Sequence, residues 1–258
     1  MRVWRSLRTR ISRRQDAARW ERWWKERLSG GTGDMFPLLP SPLVRYRGGF
    51  YDLANRDDLL VAIMAACGLR TVLCAGSGIS QEPRALAEAG FHVVALDVSP
   101  TAMRVAKDFE GDPRRVNYFC GPKAHRPSGR VDFVVGDLFH TTACLGPFDV
   151  IIERRTVQRL PDHQRSAGLE ALAARLGKVG IFLSHCDDDQ YPPDLGWSFH
   201  HTGLFHASES WFREQGWTIW DGAPSLPLTG RVAWLIRSGS MKPRPSNKGD
   251  GLERQGGS

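Results

Sequence analysis

Cysteine is scarce in this sequence and forms no pattern. The five cysteines among 258 residues (Cys67, Cys74, Cys120, Cys144, Cys186) include no CxxC pair. An odd number without metal-ligand spacing argues against a disulfide framework and a zinc site, so no metal is expected. Free thiols point instead to a reducing compartment such as the cytoplasm. Long apolar runs are lacking too. None approaches the roughly 20 residues that a membrane-spanning helix needs, so insertion in a membrane is not expected.

A dominant charge sign is missing from most of the chain. The formal charge is +7, but residues 1–27 alone hold ten Lys/Arg against three Asp/Glu. The remaining 25 basic and 25 acidic residues cancel. The body therefore has no net excess of the positive charge that binds phosphate backbones, and a nucleic-acid partner is expected only through the arm. An Arg-rich, acid-poor arm is also the composition of organellar presequences, and equally that of a solvated basic terminus.

What is present is an alternation of apolar strands and helical stretches. Residues 14–28 (RQDAARWERWWKERL) read as a helix with Trp20 and Trp24 on one face. Residues 52–67 read as a second helix, closed by Gly68. Short strands are predicted at Thr71–Ala75, His92–Val98, Val131–Gly136, Phe148–Glu153 and Val179–His185. Helices fall between them at 82–89, 100–109 and 162–176. A short helix at 208–215 precedes Trp217–Trp220 and Arg231–Arg237, which read as a closing antiparallel pair. The pattern implies an α/β fold with a mostly parallel sheet and helices on both faces. Its expected organisation is a basic flexible arm (1–13), a cover and connection (14–51), the main domain (52–238) and a disordered Gly/Pro/Ser/Lys-rich tail (239–258).

Chemistry concentrates in TVLCAGSGIS, residues 71–80. A buried strand runs into Gly76-Ser77-Gly78 and a helix opens soon after. Glycines there permit a tight turn and close approach of a ligand. Nineteen residues beyond Gly78, Asp97 ends the second strand, where a carboxylate accepts hydrogen bonds from ribose hydroxyls. No GK[ST] follows the glycines, which disfavours a P-loop. Ser80 and Gln81 stand where a dinucleotide enzyme carries its third glycine. The third strand runs into Asp137-Leu138-Phe139, an acid suited to an adenine amine beside two apolar walls. A capping aspartate is the structural alternative there.

These features resemble class I S-adenosylmethionine-dependent methyltransferases over residues 52–238. Within residues 146–165 (GPFDVIIERRTVQRLPDHQR), Phe148-Asp149, Ile151, Glu153-Arg154, Leu160-Pro161 and Arg165 resemble the fourth-strand signature of thiopurine S-methyltransferase-like proteins. The Trp20-x3-Trp24 pair before Phe36, and Asp187-Asp188-Asp189-Gln190 with Pro192-Pro193, fit the same group. The resemblance implies S-adenosylmethionine as cofactor, a Rossmann-like seven-stranded sheet whose last strand runs antiparallel, and an N-terminal helical cover over the cofactor. It implies a cofactor set of Trp20, Trp24, Cys74, Gly76, Ser77, Gly78, Asp97, Val98, Asp137, Leu138, Phe139 and Glu153, with Cys74 standing where most members have an acid. Arg154 is a candidate substrate-binding group and Asp187 a candidate base. The expected reaction is methylation of a small-molecule nucleophile, with thiols among the acceptors. The competing readings are an RNA methyltransferase guided by the basic arm, and a cofactor-binding protein without catalysis.

Overall fold

The computed structural model describes residues 16–26, 59–80, 82–108, 129–141, 145–154, 156–187, 204–220 and 228–238. The basic arm, the Phe36 segment, residues 52–58, the aspartate and proline run 188–193, His200 and His201 and the C-terminal tail lie outside them. In chain order the helices are α1 (16–26), α2 (Leu59–Ala66), α3 (Glu82–Glu88), α4 (Pro100–Asp108), α5 (Asp162–Ala173) and α6 (Leu204–Glu214). The strands are β1 (Thr71–Ala75), β2 (His92–Asp97), β3 (Arg130–Val135), β4 (Phe148–Arg154), β5 (Leu176–Asp187), β6 (Thr218–Trp220) and β7 (Arg231–Ser238).

The seven strands form one sheet in the order β3-β2-β1-β4-β5-β7-β6. Alternation within each strand divides the core between its two faces. Val72, Cys74, Val93, Val150, Ile152, Ile181 and Leu183 pack with Ile63 and Met64 of α2 and Leu86 and Ala87 of α3. Leu73, Ala75, Leu96, Ile151, Phe182 and Leu235 pack with Leu169 and Leu172 of α5 and Phe212 of α6. Strands buried on both faces have to be apolar throughout, which is why TVLCA carries no polar alternation.

Every strand pair is parallel, including β5 with β7 and β6 with β7. The expected antiparallel closing pair is therefore corrected. Alternating hydrophobicity carries no direction, because side chains alternate equally in either sense. Strand β5 also starts three residues earlier than expected. The Arg231 guanidinium donates to the carbonyls of Leu176 and Gly177 at 2.9 Å each, which holds that end of β5 against β7.

The sheet reverses its winding between β1 and β4, which are neighbours although β2 and β3 intervene in sequence. In open α/β sheets the crevice beyond the carboxyl ends of such strands is where ligands bind.

Candidate cofactor site

A cavity of about 320 Å³ lies at this crevice. Its floor is the turn after β1. Gly76 and Gly78 have φ of +62° and +53°, in the left-handed region that favours glycine. A Cβ on Gly76 would fall 2.9 Å from Thr156 Cβ, just beyond β4, and one on Gly78 would fall 2.9 Å from Trp24 Cζ2 on α1. The glycines thus admit both the chain after β4 and the cover helix. Ser80 does not need to be glycine here. Its hydroxyl accepts from the Glu82 N–H at 3.2 Å and caps α3.

Asp97 is buried at the end of β2. It accepts from the Gly78 N–H at 2.9 Å through Oδ2 and from the Ser99 N–H at 2.8 Å through Oδ1. Burial pushes its carboxyl up to about 6, although the N–H groups of Ser99, Gly78 and Val98 pull it down. Asp137 follows β3 and accepts from the Phe139 N–H at 2.7 Å, which folds Leu138 and Phe139 against the cavity.

The roof is α1. Asp16, Arg19, Trp20, Trp23 and Trp24 line the cavity at offsets of 0, 3, 4, 7 and 8, one face of a helix. Trp23 meets Trp20 and Trp24 edge to face, with ring centroids 5.6 and 4.7 Å apart. Glu21, on the neighbouring face, accepts from the hydroxyls of Ser99 and Thr101 at 2.6 Å each and from the Thr101 N–H at 3.1 Å. Burial alone would raise its carboxyl, but these donors and Lys25 hold it at about 2.

The structure brings together nine of the residues singled out by sequence: Trp20, Trp24, Gly76, Gly78, Asp97, Val98, Asp137, Leu138 and Phe139 all line the cavity. Three others do not line it. Cys74 faces the α2 and α3 side of the sheet with Val72, because its neighbours Leu73 and Ala75 take the opposite face, and burial raises its thiol well above the ordinary value. The Ser77 hydroxyl is buried without a hydrogen bond among the described residues, while its N–H donates to Leu96 O at 3.0 Å. Glu153 is fully buried. It accepts from the Ser184 hydroxyl and from the N–H groups of Thr156 and Val157 at 3.1 Å, so it fixes the turn after β4. Arg154 and Asp187 are the last residues of the neighbouring parallel strands β4 and β5, at the carboxyl end of the sheet, and their side chains lie outside the described residues.

The sequence reading missed Asp16, Arg19, Trp23, Thr156, Arg159 and Gln164 as cavity-lining residues. The first three were legible, since they continue the helical face of Trp20 and Trp24. The others had no signal of their own, because the turn after β4 is aimed by Glu153. The fourth-strand signature is revealed as scaffolding for that turn. Asp149 Oδ2 accepts from the Arg70 N–H (2.7 Å), the Thr71 N–H (2.9 Å) and the Thr71 hydroxyl (3.0 Å), tying β4 to the start of β1. Arg165 donates to Leu160 O at 3.2 Å and holds the Leu160-Pro161 step, which lines the cavity.

A Rossmann-like sheet with a glycine turn after the first strand and carboxylates after the second and third is a nucleoside-binding arrangement, and the class I S-adenosylmethionine-dependent methyltransferases are among the proteins that carry it. The family model described as Thiopurine S-methyltransferase (TPMT) matches residues 51–194, more than half of the chain. The chain belongs to that family. A 2-heptyl-1-hydroxyquinolin-4(1H)-one methyltransferase of Mycobacteroides abscessus is 31% identical over 159 residues. That match covers 60% of this chain and 61% of the relative, less than two thirds of its length. Among solved structures, the magnesium protoporphyrin IX methyltransferase of Synechocystis PCC 6803 with bound S-adenosylmethionine is 20% identical at a TM-score of 0.43. It is covered over 76% of this chain and 90% of its own. An amino pentose methyltransferase from Micromonospora echinaspora is also 20% identical, at a TM-score of 0.42, over 59% of this chain and 56% of its own.

Proposed function

We propose that the protein methylates a small molecule with S-adenosylmethionine as donor. The observation that carries this reading is the cavity itself: Asp97 and Asp137 stand on its wall, the glycine turn forms its floor, and three tryptophans of α1 cover it. The residues fit a nucleoside. Asp97 keeps lone pairs for ribose hydroxyls beside those given to Gly78 and Ser99, and Leu138 and Phe139 provide apolar surface for a base. The sulfonium cofactor supplies an electrophilic methyl group for direct transfer to a nucleophile. The chain positions the partners and keeps water out, and the tryptophan roof is the element that excludes it.

The acceptor in this reading is a small apolar or aromatic molecule bearing either a soft thiol or an acidic hydroxyl, with thiols and hydroxylated nitrogen heterocycles as its leading classes. Two features support it. The roof covers a cavity of about 320 Å³, the size of a small-molecule site, and the similar Mycobacteroides enzyme is named for a hydroxyquinolone. Arg159 on the cavity wall, with Arg154 at the end of β4, favours an acceptor with an anionic or acidic group. A thiol needs little help from a base, since its pKa is about 8.5, and Asp187 is the candidate base for acceptors that do.

Transfer of radiolabelled methyl from S-adenosylmethionine to thiols, phenols, hydroxyquinolones and aromatic acids, run beside total RNA and protein extract, tests the proposal. Label in one of the small molecules is the expected result. Label confined to RNA or protein overturns it, and label nowhere with cofactor bound assigns the protein a non-catalytic role.

A further inference from the structure

Glu21 is not a wall residue of the cavity, yet three donors from the body of the protein converge on its carboxylate. Its Oε2 accepts from the Ser99 hydroxyl at 2.6 Å and the Thr101 N–H at 3.1 Å, and its Oε1 accepts from the Thr101 hydroxyl at 2.6 Å. Ser99 and Thr101 are buried at the N-terminus of α4. A helix leaves its first N–H groups without intrahelical partners. In α4 the first position is Pro100, which has no N–H, and the Ser99 hydroxyl accepts from Ala102 at 3.0 Å. The N–H between them, that of Thr101, is satisfied by Glu21. A carboxylate there also lies at the positive end of the helix dipole.

The same serine is tied to the cofactor site. The Ser99 N–H donates to Asp97 Oδ1 while its hydroxyl donates to Glu21, so one residue bridges the two carboxylates. Three residues further along α1, Trp24 lies against Gly78, whose N–H donates to Asp97 Oδ2. Both contacts of α1 therefore converge on the groups that fix Asp97.

We propose that Glu21 is a positioning residue of the cofactor site, latching α1 onto the N-terminus of α4 so that the tryptophan roof is in place before ligand arrives. The proposal rests on the cofactor reading above and adds to it the origin of the roof's preorganisation. Aromatic contacts alone allow sliding, whereas a carboxylate shared between two hydroxyls and an N–H fixes α1 along and about its axis.

Calorimetric titration with S-adenosylhomocysteine and amide hydrogen exchange on the ligand-free full chain, for wild type, Glu21→Ala and Glu21→Gln, test it. Glu21→Ala is expected to weaken binding by on the order of 10- to 100-fold, as loss of charge-assisted hydrogen bonds would. It should speed exchange in residues 16–26 while β1, β2 and β4 keep their protection. Glu21→Gln should restore most of both, since its amide oxygen can accept from Ser99 and the Thr101 N–H and its amide nitrogen can donate to the Thr101 hydroxyl. Unchanged exchange in 16–26, or a rise spread over the whole sheet, overturns the latch. Wild type that fails to bind the ligand overturns the cofactor reading instead, and the exchange comparison still decides whether Glu21 holds α1.

Discussion

Asp97 shows how a single residue gains its function from its surroundings. Both oxygens are already oriented by backbone N–H groups before any ligand arrives, so the carboxylate is aimed at little entropic cost to the ligand. Burial raises its pKa to about 6, above the roughly 3.9 of an unfolded aspartate. In the ligand-free protein this group's contribution to stability is therefore full below about pH 4 and is lost as pH rises through 6. Ligand binding follows the opposite course, because ribose hydroxyls donate to the ionised form. S-adenosylhomocysteine affinity should hold above pH 7 and fall by about tenfold at pH 5, where about a tenth of the carboxyl is ionised. Asp97→Asn should bind weakly at every pH and flatten the profile. A calorimetric pH series on both proteins checks this, and a wild-type profile flat from pH 5 to 7 would contradict it.

At the scale of elements, β4 and the turn after it position the far wall of the cavity. The element is anchored at both ends by carboxylates with different tasks: Asp149 joins it to β1, and Glu153 fixes its exit. Asp149→Ala leaves the N–H groups of Arg70 and Thr71 without their acceptor and should destabilise the fold by about 2–3 kcal/mol. Asp149→Asn keeps a carbonyl oxygen and should lose about half as much. Urea unfolding midpoints of the two variants give the comparison, and equal losses would mean that the charge, not the hydrogen bonds, matters. The signature at 148–165 was legible as a family resemblance, but its meaning was not. A sequence reader assigns Glu153 to the cofactor because it sits at a strand end. The three donors that turn it inward come from Thr156, Val157 and Ser184, and the last of these is 31 residues away.

At the largest scale, the described residues form two apolar layers on one sheet with a crevice at the switch between β1 and β4. No helix among the described residues is long and apolar enough to cross a membrane. If the crevice binds the cofactor, ligand stabilises the fold by mass action, about 2.7 kcal/mol at a hundredfold excess over Kd. For a chain of this size that corresponds to a rise in melting temperature of about 5–10 °C. Scanning fluorimetry with S-adenosylmethionine and S-adenosylhomocysteine measures it, and no shift at millimolar ligand would remove the basis of the proposed function.

The sequence by itself determined the strands, the glycine turn and the carboxylates after β2 and β3, because each is set by residues close together in the chain. Apolar runs of five or six residues, a pair of glycines and an acid at a strand end are local signals. The helical spacing of Trp20 and Trp24 placed both on one face of a helix, and the family resemblance is what made that helix a cover. Only the tertiary structure decided that β6 and β7 run parallel, since strand direction depends on the path of the connection and not on alternation. Only tertiary structure turned Cys74 to the opposite face of the sheet from Ala75 and joined Glu21 to Ser99 and Thr101, which lie 78 and 80 residues away. Contacts of that span depend on how separate elements dock, and no local pattern records them.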